Sequence, residues 1–94
     1  MHYHFKRDFF NQACELWKEG VMAIAEKQPG FVRMQFLTDL ENRAMAIGTW
    51  QNRTDAEKFM QTGVFRNLMS QIKDFIEEDP QPKVWELRYY AEKR

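Results

Sequence analysis

Residues 48–65, GTWQNRTDAEKFMQTGVF, decide how the rest of this chain is read. Gly48-Thr49-Trp50 reads as the end of a strand, with Trp50 closing it. Gln51, Asn52 and Arg53 form a polar turn. Thr54 and Glu57 stand three apart with Asp55 and Ala56 between, which predicts a capping box: the Thr hydroxyl takes the amide at the third helical position and the Glu reaches back to the Thr amide. Thr62-Gly63 then interrupts the helical pattern, because glycine lowers helix stability by roughly 1 kcal/mol relative to alanine. Val64-Phe65 restarts an apolar stripe. The stretch is therefore strand, turn, short helix, break, second helix.

Downstream, Phe65, Leu68, Met69, Ile72, Phe75 and Ile76 share one stripe of a helix. Its last turn is expected to hold Glu77, Glu78 and Asp79, which oppose the helix dipole at about 0.3–1 kcal/mol each, so that end should fray. Pro80 and Pro82 prevent continuation. Lys83 to Tyr90 reads as a last strand, with Trp85, Leu87 and Tyr89 alternating with Val84, Glu86, Arg88 and Tyr90. Glu92 to Arg94 form a polar tail.

Upstream, Ala44 to Trp50 alternates as a strand, with Met45, Ile47 and Thr49 on one face and Ala44, Ala46, Gly48 and Trp50 on the other. Small residues on one face allow a second layer to approach closely or leave room for a ligand. Asp39 to Arg43, with Asn42, suits a hairpin turn. Phe31 to Thr38 is the partner strand, with Val32, Met34 and Phe36 on one face and Phe31, Arg33, Gln35 and Leu37 on the other. Asp8 is the expected N-cap of a helix running to about Lys27, with Phe10, Cys14, Trp17, Val21 and Ile24 at helical spacing. Pro29-Gly30 ends it. His2 to Lys6 forms a short first strand, with Tyr3 and Phe5 inward and His2 and His4 outward.

The order is β-α-β-β-α-β over a single domain, residues 1–94. This split βαβ pattern with right-handed crossovers predicts an α+β, ferredoxin-like subunit with a four-stranded antiparallel sheet. Both helices cover one sheet face. The other face stays bare and should carry Phe31, Leu37, Val84 and Tyr90 among its charges, which marks an interface or a ligand groove. A chain this short buries only a little over 60% of its unfolded surface and gains from association, so a homodimer through the sheet face is expected.

Composition removes several function classes. Fourteen basic residues balance fourteen acidic ones without a basic run, which argues against nucleic acid and anionic membranes. There is no run of the ~18 apolar residues that a spanning helix needs, and no signal-peptide pattern. The single cysteine, Cys14, can make no internal disulfide, which fits a reducing cytoplasm, and its place in a helical stripe suits packing rather than chemistry. Neither a dinucleotide fingerprint nor a phosphate-binding loop is present, and no Ser-His-Asp or Cys-His arrangement can be argued. His2 and His4 share a strand face but lack a third ligand, so no metal and no cofactor is expected.

Trp50, Ala56 and the pair Thr62 with Phe65 resemble the signature of the antibiotic-biosynthesis-monooxygenase-like (ABM) superfamily. Pro29-Gly30-Phe31 is similar to that family's usual approach to its second strand. The resemblance spans about residues 4 to 90. It implies a dimeric α+β barrel of ferredoxin-like subunits, and a cofactor-independent monooxygenase acting on a small aromatic or quinol. A non-catalytic barrel that binds a small ligand, or serves as a structural subunit, is the alternative. The haem-degrading branch of the family uses an Asn on its first strand, a Trp on the helix after the third strand and a His further along. Aligned through Trp50 and Phe65, the last two positions are Phe59 and Met69 here, and no Asn lies among His2 to Lys6. The departures argue against haem degradation. Phe59 also stands where many members carry His.

Parity along the strands sends Arg33, Gln35, Glu86, Arg88 and His4 to the bare face, inside the barrel that the resemblance implies. In the functional reading His4 is the base, since a histidine can be neutral at pH 7 and accept a proton. Arg33 stabilises the resulting oxyanion, and Gln35, Trp50, Phe59, Glu86, Arg88 and Tyr90 bind substrate. In the structural reading Arg33, Glu86 and Arg88 form an ion-pair set that fixes sheet or dimer. Trp50 and Trp85 either stack on an aromatic substrate or are core residues with the indole N–H bonded to backbone.

Overall fold

Alternation of apolar side chains produces three strands in the computed structural model, which describes residues 1–93. They are β1 (His2–His4), β2 (Phe31–Thr38) and β3 (Arg43–Trp50), in an antiparallel sheet of order β1-β3-β2. The helical segments are α1 (Phe10–Trp17), a π-helical turn (Lys18–Met22), α2 (Ala23–Ala25), α3 (Arg53–Met60) and α4 (Val64–Ile72). The molecule measures 38 × 30 × 19 Å, consistent with one layer of helices on one sheet.

The core lies between the layers. Tyr3, Phe5 and Ala44 from the strands meet Trp17, Val21, Phe59, Val64, Leu68 and Ile72 from the helices. Trp17 is held by its neighbours: its indole N–H donates to the Tyr3 hydroxyl at 3.1 Å, and its ring lies 4.3 Å from that of Phe36.

Several local expectations are corrected. Asp8 does not cap the first long helix. It sits inside a 3-10 turn (Arg7–Phe9), and α1 starts at Phe10 without a side-chain cap. The Thr54–Glu57 capping box does not form. The chain stays extended only to Asn52, so Thr54 already lies inside the first turn of α3, and Glu57 accepts from Arg53 Nε at 3.1 Å instead. The break at Thr62-Gly63 is present: Gly63 adopts φ 86°, and the Thr62 hydroxyl donates to the Phe59 carbonyl at 2.6 Å. Glu77, Glu78 and Asp79 lie outside the helix, because α4 ends at Ile72 and passes into a 3-10 turn (Lys73–Phe75), so the expected conflict with the dipole does not arise.

Parity along β2 holds from Arg33 onward and fails before it. A bulge separates the pairs Phe31↔Trp50 and Arg33↔Thr49. The extra residue turns Val32 out to solvent and Phe31 in against the core, the reverse of the alternation. The bare face therefore carries Leu37, Met45, Ile47 and Val32 rather than Phe31.

The fourth strand position, beside β1, is occupied by a single antiparallel bridge, Phe5↔Ile76. Lys6 N–H donates to the Phe75 carbonyl at 2.7 Å and Glu77 N–H to the His4 carbonyl at 2.8 Å. Residues 83–90, the expected last strand, follow as a segment without a ladder. Trp85, Leu87 and Tyr89 stand 70%, 70% and 85% exposed, because no sheet neighbour covers them.

Candidate functional site

The small residues of β3 open a cleft of about 960 Å³ between sheet and helices. Ala46, Gly48 and Trp50 of β3 and Met34 of β2 line the sheet side, and Phe59 of α3 and Phe65 of α4 line the helix side. Trp17 and Val21, both buried, line it as well. The cleft opens where β1 stops. That strand pairs β3 only over Arg43 to Met45, with one further bond from Ala46 N–H to the Met1 carbonyl at 2.8 Å. Beyond Ala46 no strand covers this edge of β3. Residues 82–87 form another wall.

Trp50 is the central side chain. Its ring lies 5.6 Å from Phe31, edge-on, and 5.0 Å from Phe59, tilted. Phe59 in turn meets Phe65 edge-on at 5.7 Å. These contacts give the cleft an aromatic lining. The charged and polar side chains on its wall are His2, Thr49, Gln51, Asn52, Arg53, Lys83 and Glu86. Arg53 bridges two of the bounding segments, with Nε 3.1 Å from Glu57 Oε1 and Nη1 3.7 Å from Glu86 Oε1.

Of the expected site residues, the structure brings Trp50, Phe59 and Glu86 to this cleft. His4, Arg33 and Gln35 do not line it. They belong to the opposite sheet face, where the Arg33 guanidinium lies over the Tyr90 ring at 5.1 Å from its centroid. Arg88 is exposed and lines neither place. The Arg33–Glu86–Arg88 ion-pair set is not formed, because Glu86 reaches Arg53 on α3 and Arg33 stacks on Tyr90. Met34, Ala46, Gly48 and Phe65 are cleft residues that the site assignment missed. The alternation of small residues along β3 was the signal for Ala46 and Gly48.

Cys14 packs against the core, and burial, aided by the Glu15 carboxylate, raises its thiol above the usual range, which disfavours the reactive thiolate. Among the described residues no three His, Cys, Asp or Glu side chains gather as a metal site, and no helix is long and apolar enough to cross a membrane.

No family model matches the sequence, and no curated protein matches it. Solved structures do. One named "Putative antibiotic biosynthesis monooxygenase from Nitrosomonas europaea" superposes with a TM-score of 0.71 at 18% identity, over 83% of this chain and 76% of that one. A protein from Bacteriodes thetaiotaomicron with the same name superposes with a TM-score of 0.66 at 12% identity, over 95% and 90% of the two chains. A third, named as an antibiotic biosynthesis monooxygenase, gives 0.68 at 18% identity, over 83% of each chain. The sheet and the helices packed on it thus share the α+β fold of these three solved proteins.

Proposed function

We propose that this protein is a cofactor-independent monooxygenase that binds a small, flat, electron-rich aromatic, of quinol or anthrone type, in the cleft between sheet and helices, and that it works as a homodimer. The observation that carries this reading is the aromatic lining built by Trp50, Phe59 and Phe65, with the charged groups Arg53, Lys83 and Glu86 on its wall. An apolar pocket with a few placed polar groups is the usual form of a small-molecule site. The anthrone type needs no added reductant. Its ring CH2 supplies two hydrogens, one oxygen atom of O2 becomes the ring carbonyl, and the other leaves as water with those hydrogens. The protein has to bind the ring, keep water away from it and steady the oxyanion that forms before electrons pass to oxygen. Arg53 and Lys83, on the solvent-exposed part of the wall, are the cations that would take the last task.

A second seat for the chemistry is the opposite sheet face, with His4 as base and Arg33 as oxyanion partner. Its support is the gathering of Arg33 and Tyr90 at 5.1 Å. Oxygen uptake with a panel of quinols and anthrones separates the two. Phe59→Leu keeps an apolar group and loses the ring, and Arg53→Ala removes the cation on the wall. If the cleft is the seat, uptake falls in these variants, by roughly two- to tenfold for the lost ring contact. Loss confined to His4→Ala and Arg33→Ala, on the order of 10²–10⁴ for a missing base, moves the chemistry to the other face. Binding without oxygen uptake by any substrate makes this a binding protein.

A further inference from the structure

Among the described residues the Trp50 indole N–H has no hydrogen-bond partner. A strand-end tryptophan ordinarily spends this group on a backbone carbonyl. Trp17 shows the satisfied case, donating to the Tyr3 hydroxyl at 3.1 Å. Trp50 makes no such bond among the described residues, and its nitrogen is not among sealed, unsatisfied atoms, because it opens on the cleft. Phe31 and Phe59 pack on the indole and hold it in place.

Gly48 makes this arrangement possible. It lies two residues before Trp50 on the same sheet face, and the indole folds back over it. A Cβ at residue 48 would sit 3.1 Å from Trp50 Nε1 and 3.0 Å from Met34 Cε. Both distances are tighter than ordinary side-chain packing. Glycine thus lets the indole lie directly against the strand backbone beside Met34, in an otherwise apolar part of the cleft.

We infer that the Trp50 N–H is the polar recognition element of the cleft, and that the ligand is a flat aromatic carrying an oxygen acceptor, a ring carbonyl or phenolate, to which that N–H donates. The inference rests on the cleft being the ligand site and adds the chemical feature that the ligand must present. A hydrocarbon of the same shape satisfies the aromatic walls but leaves the N–H unpaired once water is displaced, so the site discriminates by that single oxygen. Trp50 is the specificity determinant in this account, by its donor, and Gly48 is a positioning residue that lets the indole lie over the strand.

The test uses 1-indanone and indane, which differ by one carbonyl. Titrations of the full chain are followed by the indole N–H signals in proton–nitrogen correlation spectra, with Trp50 assigned from Trp50→Phe. Wild type is expected to bind indanone about five- to tenfold more tightly than indane, with the Trp50 indole signal moving downfield for the ketone only. In Trp50→Phe, which keeps an aromatic ring against Phe31 and Phe59, the ratio of the two affinities falls to about one. Gly48→Ala lowers that ratio as well, because the added methyl displaces the indole and its N–H. Equal affinities in wild type, or a ketone preference that survives in Trp50→Phe, overturn the donor role while leaving the cleft as the binding site. If neither compound perturbs cleft signals, the cleft reading fails and this inference fails with it.

Discussion

Tyr3 accepts the Trp17 indole N–H at 3.1 Å and donates to Met1 Sδ at 3.0 Å, in a core position only 2% exposed. Burial drives its phenol well above the ordinary tyrosine range, partly offset by the Trp17 N–H, which favours the phenolate. A group whose folded pKa is raised contributes stability that is fully present below its unfolded value, about 10, and lost as pH rises beyond it. Alkaline titration should therefore show Tyr3 ionising together with loss of circular dichroism. A full tyrosinate signal from an intact fold would refute this. Tyr3→Phe leaves the Trp17 N–H buried and unpaired, at a cost of about 1–3 kcal/mol, read as a lower urea midpoint with an unchanged slope. The hydrogen bond between this pair was not legible in the sequence. The helical and strand periods each marked their residue as inward, but neither period says that the two meet.

Two glycines separate conformational strain from crowding at the scale of the elements. Gly30, after the first helical region, and Gly63, before α4, adopt φ 80° and 86°. A Cβ at residue 63 meets nothing, so Gly63→Ala should cost only the left-handed penalty of about 1–2 kcal/mol. At residue 30 the same Cβ would collide with the Asp55 side chain, so Gly30→Ala should lower the melting temperature by clearly more than Gly63→Ala. Equal losses would show that Asp55 simply swings away. The hairpin between β2 and β3 offers a pH-sensitive counterpart. Asp39 Oδ1 accepts from Glu41 N–H at 2.8 Å and Arg43 N–H at 3.0 Å, and these bonds hold its carboxyl below the usual range. The contribution is present above about pH 4 and lost as pH falls, so Asp39→Ala should narrow its stability gap to wild type in acid. The elements themselves were legible, since β2, β3 and the Gly63 break follow from local pattern. The bulge at Val32 was not, because alternation alone counts one residue per step.

At the scale of the molecule the sheet has one covered and one bare face. Val32, Leu37, Met45 and Ile47 stand 43%, 46%, 37% and 41% exposed on strands β2 and β3. Apolar groups left so open on a small domain favour association, and residues 83–90 add further uncovered aromatic surface. Sedimentation at micromolar concentration is expected to give about twice the 11.4 kDa of one chain, as an interface of roughly 1,600 Å² or more would produce. Ile47→Glu, placing a charge at the centre of that face, should shift the equilibrium to monomer. A folded monomer at high concentration in wild type would remove the barrel. It would also remove any role for His4 and Arg33 within one.

Sequence by itself determined the order of elements as far as α4, the break between α3 and α4, and most of the division of residues of β2 and β3 between two faces, but not the fate of residues 83–90. Each of these is local: hydrogen bonding within a helix imposes a period of 3.6 and the pleat imposes a period of 2, so a few neighbouring residues suffice to read them. Tertiary structure decided the rest. Glu86 found Arg53 rather than Arg33 because its segment passes α3, and the cleft opened along the edge of β3 beyond Ala46, past the His2↔Met45 pair with β1. The free N–H of Trp50 depends on Gly48 beneath it and on Phe31 and Phe59 around it. Side chains from three elements meet there, and no period within any one of them encodes where the others will be.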